Sequence, residues 1–229
     1  MQQMIEPYEI TKQAEEYLEA ISRIIERGMM ATPKELAQEL AVAPPSVLGM
    51  IRRLEEQHLV NYARHLGAVL TERGQFFAER LRRRHRLAER LLTDLLGMPS
   101  ARAHDVACRF EHVIDDEVET YLLAALDYPT TCPHGNPLDG RDAARDGGWS
   151  PLTDLQAKQT GILRCIIDES EPMLDYLATL HLHPGASVTV QDIAPFDGPL
   201  TIDVAGERVA ISRAVANHLL VEVTEKNGE

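Results

Sequence analysis

The first amphipathic pattern of the chain covers Thr11 to Glu26. Apolar residues recur there every three or four positions, which is the spacing of one helical face. The residues of this stripe are Tyr17, Leu18, Ile21, Ile24 and Ile25. Gly28 follows and favours a helix end, because glycine adopts the left-handed conformation of a C-cap without strain. The pattern predicts a surface helix that packs this stripe against a core.

A second pattern predicts two helices separated by a short break. Thr32 offers an N-cap, and Glu35 completes a capping box for a helix that runs to about Leu40. Pro44 and Pro45 then open a longer helix, Ser46 to His58. Its inward residues are Val47, Met50, Ile51 and Leu54. A short helix, a turn and a longer helix form a helix-turn-helix, whose second helix enters the major groove in DNA-binding proteins. Many helix pairs of this kind bind no DNA.

The next segment has the pattern of a β-hairpin, with strands at 59–63 and 68–71 and a turn at 64–67. A hairpin directly after a recognition helix is a wing. A long helix, Thr71 to Leu96, follows it and carries many arginines, which are typical of a solvated face and can also contact phosphates. The residues predicted to contact DNA are Pro45, Ser46, Gly49, Arg52, Arg53, Arg64 and His65.

The stretch from His104 to Glu119 combines a helical apolar pattern with several metal-ligand residue types. On one continuous helix, His104, Cys108, Glu111 and His112 fall on a single face about 100° wide. Two imidazoles, a thiol and a carboxylate suit Fe(II), Mn(II), Co(II), Ni(II) or Zn(II) rather than Ca(II) or Mg(II). The alternative is that each residue is an ordinary buried or solvated side chain.

A further half-site lies in the preceding long helix, where His85 and Glu89 are four positions apart on one face. An antiparallel return after a short loop could bring this pair against His104. The spacing therefore predicts two metal sites. The first consists of His85, Glu89 and His104. The second consists of Cys108, Glu111 and His112, completed by Glu16 of the first helix or, as the alternative, by Glu15.

The last third of the chain changes character. Residues 139–150 are rich in glycine and charge and predict a linker. A helix at about 171–180 precedes strands at 187–193, 200–205, 207–211 and 219–223, separated by proline and glycine. Short strands of this kind predict a small all-β barrel.

Composition and charge place limits on function. Residues 1–90 hold 14 Lys+Arg and 13 Asp+Glu, whereas residues 91–229 hold 9 and 23. This asymmetry predicts that the N-terminal part meets a polyanion although the whole chain is acidic. Three widely spaced cysteines argue against a disulfide framework and favour a reducing compartment. No apolar run is long enough for a membrane span, and no secretory signal begins the chain, so a cytoplasmic protein is expected.

The motifs EEYLEAI, VAPPSVLGMIRRLEEQHLV, LTERG, RRHRLAERLLTDLLG, HDVACRFEHVIDDEVE and CPHGNPL occur in this order between about residues 11 and 138. In this order they resemble the diphtheria toxin repressor family of iron- or manganese-regulated repressors. The resemblance implies a homodimer that binds a palindromic operator when Fe(II) or Mn(II) is present and represses metal-uptake genes. The C-terminal strands are similar to the SH3-like domain of many members.

The resemblance also implies residue roles. His85, Glu89 and His104 match one metal site of the family, and Cys108, Glu111 and His112 match the regulatory site. Glu16 stands where the iron branch has methionine and the manganese branch an acidic residue, whereas Cys108 is like the iron branch. Manganese is slightly favoured, because a carboxylate is a harder ligand than a thioether. Glu169 and Glu171 are candidate ligands from the SH3-like domain, although helix initiation is the alternative role for either.

The expected architecture is therefore mainly α with small β parts. It divides into a winged helix-turn-helix DNA-binding domain at 1–74, a helical metal-binding and dimerisation domain at 75–138, a linker at 139–150 and an SH3-like domain at 151–229. The apolar residues expected at the dimer surface are Val113, Val118, Tyr121, Leu122 and Leu126. The loop at 132–137 contains a cysteine and a histidine that could form a metal loop, but it is interpreted as a structural connection.

Two other functions remain as alternatives. A metalloenzyme would use the His/Cys/Glu cluster, but the chain has no HExxH motif, nucleophile elbow or phosphate loop. A metal-buffering protein would leave the winged helix and the charge asymmetry without a purpose.

Overall fold

A computed structural model describes residues 10–139 and 147–224 of the chain. The chain divides into two compact units, the first ending at Arg82 and the second beginning at Arg83. Within the described residues, no helix is both long and apolar enough to span a membrane.

The first unit begins with the three predicted helices: α1 (Lys12–Glu26), α2 (Pro33–Glu39) and α3 (Pro44–Glu56). Thr11 and Thr32 cap α1 and α2 by accepting hydrogen bonds from the backbone N–H groups of Ala14 and Glu35. The apolar stripe predicted for α1 lies in the core with the exception of Ile25, which is exposed. The inward residues predicted for α3 are also buried, so the helix-turn-helix expected from the sequence is present.

The hairpin follows as β1 (Val60–Ala63) and β2 (Gly67–Leu70), paired antiparallel. Glu55 of α3 accepts a hydrogen bond from the backbone N–H of Tyr62 at 2.9 Å, which fixes the hairpin against that helix. The bond thereby holds β1 against the C-terminal end of the predicted recognition helix. A long helix, α4 (Glu72–Arg90), comes next, and Phe77 and Ala78 near its start belong to the core of this unit.

The second unit contains the rest of α4, a π-helical segment (Leu91–Leu95), α5 (Ser100–Phe110), a 3-10 turn (Glu111–Val113) and α6 (Asp116–Ala125). The prediction of one continuous helix from His104 to Glu119 is therefore wrong. Ile114 is extended, and the Asp115 side chain accepts a hydrogen bond from the backbone N–H of Val118 at 2.8 Å, which starts a new helix. Because aspartate is a strong N-cap, this local bond competes successfully with helix continuation.

The second unit also contains a six-stranded antiparallel sheet. Its strands are β3 (Ser150–Pro151), β4 (Thr160–Ile166), β5 (Ser187–Ile193), β6 (Leu200–Val204), β7 (Glu207–Ile211) and β8 (Leu219–Thr224). The order across the sheet is β3-β8-β4-β5-β6-β7. Two short helices, α7 (Glu171–Thr179) and α8 (Arg213–Ala216), accompany it. The four predicted strands are present, whereas β3 and β4 were not predicted. Most of the predicted linker, residues 140–146, lies outside the described residues.

Candidate metal centre

The helices α4 and α5 bring together His85, Glu89 and His104, as the sequence spacing predicted. Nε2 of His85 lies 3.2 Å from Oε1 of Glu89 and 3.1 Å from Nδ1 of His104. The same Glu89 oxygen lies 2.9 Å from Nδ1 of His104. Three donor atoms thus form a small triangle with sides of similar length, which we call the triad.

A second group of donors approaches Glu89 from another part of the unit. Nδ1 of His134 lies 3.6 Å from Oε1 of Glu89 and 3.3 Å from Oε1 of Glu169. Sγ of Cys132 lies 3.4 Å from that Glu169 oxygen. Donor atoms of these four residues all lie within 4.8 Å of one another. We call Glu89, Cys132, His134 and Glu169 the tetrad.

The loop that carries Cys132 and His134 is anchored to α4. Arg90 donates hydrogen bonds to the backbone carbonyls of Thr131 and Cys132, at 2.8 and 3.2 Å. Gly135 has a φ of +89° and its Cα lies against the backbone of Arg164, where a Cβ atom would collide. The loop therefore needs glycine at this position to reach β4.

Asn136 positions the carboxylate of Glu169. Its Nδ2 donates to Oε1 of Glu169 at 2.7 Å and to the backbone carbonyl of Ile166 at 2.9 Å. Its Oδ1 accepts a hydrogen bond from Sγ of Cys165 at 3.1 Å. Asn136 thus links the loop, the end of β4 and one donor of the tetrad.

The buried charges shift the pKa values of these groups strongly. Burial alone would lower the pKa of His85, but hydrogen bonds with Cys108, Glu111 and Glu89 raise it well above its ordinary value. Burial opposes ionisation of Glu89, yet the hydrogen bonds from His104 and His85 and the charges of His85 and His134 hold its pKa far below the usual range.

The tetrad shows the same competition. Burial, together with the charges of Glu169 and Glu89, raises the pKa of the Cys132 thiol. Burial would lower the pKa of His134, but its hydrogen bond to Glu169 and the nearby carboxylates raise it. Burial and the Glu89 charge act to raise the pKa of Glu169, but His134 and Arg86 lower it overall. In the metal-free chain these pKa shifts favour the ionised form of Glu89 and Glu169 and the protonated form of His85 and His134.

The donor set fits a transition-metal ion. Oε2 of Glu89 and Nε2 of His134 are buried and have no hydrogen-bond partner among the described residues. A carboxylate that is fully buried, as Glu89 is at 0% exposure, normally has all its lone pairs satisfied. Thiol, imidazole and carboxylate donors together suit Fe(II), Mn(II), Co(II) or Zn(II).

The predicted regulatory residues lie near the triad. Sγ of Cys108 lies within 4.8 Å of ring nitrogens of His85 and His104. Glu111 places its Oε2 2.6 Å from Nδ1 of His85 and its Oε1 3.4 Å from Nε2 of His112. Since the helix ends at Phe110, Glu111 and His112 do not lie on the continuous helical face from which they were selected. Their position beside His85 comes from the 3-10 turn instead.

The other candidate ligands separate into two groups. Glu169 lies in the tetrad, whereas Glu171 is exposed at the start of α7 and is not among the clustered donors. Glu16 belongs to the first unit, where it lies on α1, is partly exposed and approaches Lys12 at 3.9 Å. Glu15 is also on α1 and partly exposed. The role of Glu16 as a ligand stays a prediction.

Sequence reasoning favoured a structural role for the loop that carries Cys132 and His134, and the structure places both residues beside Glu89 and Glu169, where they could also hold a metal ion. A Cys-x-His spacing in a loop was the available signal. It was too short and too irregular to indicate which distant residues would join it.

In the first unit, all seven residues predicted to contact DNA are exposed. Pro45, Ser46, Gly49, Arg52 and Arg53 lie on α3, and Arg64 and His65 lie at the hairpin tip. In the second unit, Val113 and Tyr121 are 67% and 70% exposed, and Val118 is also exposed. Leu122 and Leu126 are partly buried, so this predicted surface is only partly made of free apolar side chains.

Three family models match successive parts of the chain. The family model described as "Iron dependent repressor, N-terminal DNA binding domain" matches residues 9–68. The model described as "Iron dependent repressor, metal binding and dimerisation domain" matches residues 71–139, and the FeoA domain matches 150–223. The iron-dependent repressor IdeR of Mycobacterium tuberculosis is 32% identical over 228 residues, covering 93% of this chain and 98% of that protein.

The chain belongs to the iron-dependent repressor family.

Other family members are similar in sequence or structure. The diphtheria toxin repressor of Corynebacterium diphtheriae is 39% identical over 128 residues, which are 56% of this chain and 57% of that protein. A manganese-dependent transcriptional repressor solved in complex with manganese superposes with a TM-score of 0.80 at 28% identity, over 92% of this chain and 100% of that one. The manganese regulator SloR gives a TM-score of 0.73 at 28% identity, over 94% and 100%.

Membership of this repressor family confirms the interpretation of the chain as a metal-dependent transcriptional regulator. It also confirms the expected architecture: a helical DNA-binding part, a helical metal-binding part and a C-terminal antiparallel sheet. The metalloenzyme alternative gains no support, because the matched proteins named above are repressors and a regulator.

Proposed function

We propose that this chain represses metal-uptake genes by binding a palindromic operator as a homodimer loaded with Mn(II) or Fe(II). The observation that carries the proposal is the buried His/Cys/Glu cluster in a chain that also contains a winged helix-turn-helix. A cluster of this composition gains little from burial unless a cation compensates its charges.

The metal sites are proposed residue by residue. One site consists of His85, Glu89 and His104. Next to it lie the other donors of the tetrad, which are Cys132, His134 and Glu169. Cys108, Glu111 and His112 form the regulatory site together with Glu16. When bound, the cation would supply positive charge in place of the protons that its ligands give up.

The DNA contacts are assigned to exposed residues of the first unit. The N-terminal part of α3 presents Ser46 and Gly49, whose small side chains permit close approach to base edges. Arg52 and Arg53, one turn later, suit phosphate contacts, and Arg64 and His65 extend from the wing. The two recognition helices of a homodimer must be spaced by about one turn of DNA, ~34 Å, or a multiple of it.

Metal can favour the DNA-binding state only through a difference in its affinity for the two states. The proposed ligands come from several elements, so a bound cation would restrict how those elements move. Metal-free protein would then sample arrangements that do not match the operator.

The test is an operator selection followed by a binding titration. The full chain selects its preferred sequence from random DNA in Mn(II), and fluorescence anisotropy then measures the affinity with Mn(II), with Fe(II) under anaerobic conditions and without metal. A palindromic sequence bound much more tightly with metal is expected. Cys108→Ala and Glu16→Ala should weaken the metal response, whereas the exposed Glu171→Gln is the matched control. Equal affinity with and without metal would refute the proposal.

A further inference from the structure

One oxygen atom, Oε1 of Glu89, belongs to both donor groups of the second unit. In the triad it lies 2.9 Å from Nδ1 of His104 and 3.2 Å from Nε2 of His85. In the tetrad it lies 3.6 Å from Nδ1 of His134. The second oxygen of this carboxylate, Oε2, is buried and unpartnered among the described residues. Glu89 therefore has a free coordination position in addition to a shared one.

The three donor atoms of the triad are spaced like the three ligands on one face of an octahedron. Metal bonds to nitrogen and oxygen are about 2.0–2.2 Å long, so two ligands at a right angle are about 3 Å apart. The three sides of the triad, between His85, Glu89 and His104, are 2.9, 3.1 and 3.2 Å. These atoms need almost no rearrangement to bind one ion.

The spacing of the tetrad is wider. Its measured donor separations run from 3.3 Å, between His134 and Glu169, to 3.9 Å, between Cys132 and His134. Such distances suit tetrahedral angles and a longer bond to sulfur, of about 2.3 Å. The two groups thus have different geometries, and they come from different elements. The triad comes from α4 and α5, whereas the tetrad adds the loop at 131–138 and the segment after β4.

The negative charge of the combined cluster exceeds that of a single divalent ion. Glu89, Glu169 and a deprotonated Cys132 supply three negative charges within the two donor groups. One divalent ion would leave part of this buried charge uncompensated, and uncompensated buried charge is costly.

We propose that the triad and the tetrad bind two divalent cations side by side, bridged by the carboxylate of Glu89. The proposal rests on the metal dependence proposed above and adds a paired centre to it. Glu89 is then the one residue whose loss affects both ions. His104 serves only the triad ion, and Cys132 serves only the tetrad ion.

Electron paramagnetic resonance of the full chain distinguishes a bridged pair from separate ions. Metal-free protein is loaded stepwise with Mn(II) to three equivalents, which also fills the proposed regulatory site. The wild type is expected to show the spectrum of an exchange-coupled pair, with a hyperfine spacing half that of isolated Mn(II), above an uncoupled background. Glu89→Gln and His104→Ala should lose the coupled spectrum, and the exposed Glu171→Gln should retain it.

Co(II) absorption gives a second readout that does not depend on Glu89→Gln folding. His104→Ala should keep the charge-transfer band of the Cys132 thiolate, and Cys132→Ser should lose that contribution. Three results would overturn the proposal. They are a fully loaded wild type in which all Mn(II) is uncoupled, a single ion bound by both donor groups, and a coupled spectrum that survives in His104→Ala. Because no DNA is present, failure of metal-dependent operator binding would leave these spectra unchanged, so the two proposals fail separately.

Discussion

Nδ1 of His85 lies 2.6 Å from Oε2 of Glu111 in the interior of the second unit. Nε2 of the same ring faces Glu89 and His104. The imidazole is therefore held between two carboxylates, one in the triad and one among the predicted regulatory ligands. When one ring nitrogen binds a metal, a proton on the other can still be donated to a carboxylate, as is usual for metal-bound histidine. His85 thus connects the two predicted sites.

The first prediction concerns this contact. Glu111→Gln keeps the size of the side chain but removes its charge, so the pKa of His85 in the metal-free protein is expected to fall. Nuclear magnetic resonance titration of the His85 ring measures that change directly. Glu117→Gln, at an exposed acidic position of α6, is the control and should leave His85 unchanged. An unaltered His85 titration in Glu111→Gln would show that the contact does not govern the protonation of this ring.

The second prediction concerns Asn136, which holds Glu169 in the tetrad through a 2.7 Å hydrogen bond. Asn136→Ala is expected to weaken Co(II) binding to the tetrad by about 10- to 100-fold, the usual cost of losing a group that orients a ligand. Competition with a chelator, followed through the thiolate absorption band, measures the affinity. Asn61→Ala, at an exposed position of the hairpin, is the control. An affinity equal to that of the wild type would show that Asn136 does not orient Glu169 for metal binding.

The third prediction concerns pH. The raised pKa values of His85, His134 and the Cys132 thiol mean that metal must displace protons from these groups. Metal affinity is therefore expected to increase with pH, with protons released on binding. Calorimetry in buffers of different ionisation enthalpy counts these protons. Binding without proton release would contradict the protonation states described above.

The metal-free protein should show the opposite trend in stability. A histidine whose folded pKa is raised contributes stability that is present below its unfolded value of about 6.5 and is lost as pH rises through the folded value. The carboxylates of Glu89 and Glu169, whose pKa values are lowered, contribute stability above about pH 4.5 that is lost in acid. Urea unfolding should therefore find the metal-free chain most stable between these limits. A free energy of unfolding that rises steadily from about pH 6 to about pH 9 would contradict this prediction.

The fourth prediction concerns DNA. Arg52→Ala and Arg64→Ala each remove one exposed positive charge from the proposed DNA surface. If each contacts a phosphate, each variant of the proposed homodimer loses two phosphate contacts. It should then bind every sequence more weakly and reduce the slope of log affinity against log salt by about 2. Lys158→Ala, whose ammonium group bonds to Gln191 in the second unit, is the control for loss of a positive charge. Unchanged salt slopes would exclude these arginines from the interface.

The winged helix was predictable because its signals are local. The Thr32 capping box and the spacing of apolar residues in α1 and α3 specify their helices within a few residues. The triad was predictable for a similar reason, since His85 and Glu89 share one helical face and His104 follows after a short loop. Each inference needed only helical periodicity and one chain reversal.

The rest of the site depends on contacts that no local pattern encodes. Cys132 and His134 lie in an irregular loop, and their position follows from Arg90, Gly135 and the packing against β4. The choice of Glu169 over Glu171 depends on the hydrogen bond from Asn136, across 33 positions of sequence. The helix break at Asp115 was misjudged because an apolar period continues through it, although aspartate favours a new N-cap.

The most direct test of the central claim is the dependence of operator affinity on free metal concentration. Operator binding by the full chain is measured over a series of buffered free Mn(II) concentrations and again after a chelator is added. The account predicts that affinity rises with free Mn(II), with a positive slope that reports the ions taken up on binding, and that chelator reverses the gain. An operator affinity that stays constant over the whole range of free metal would contradict it.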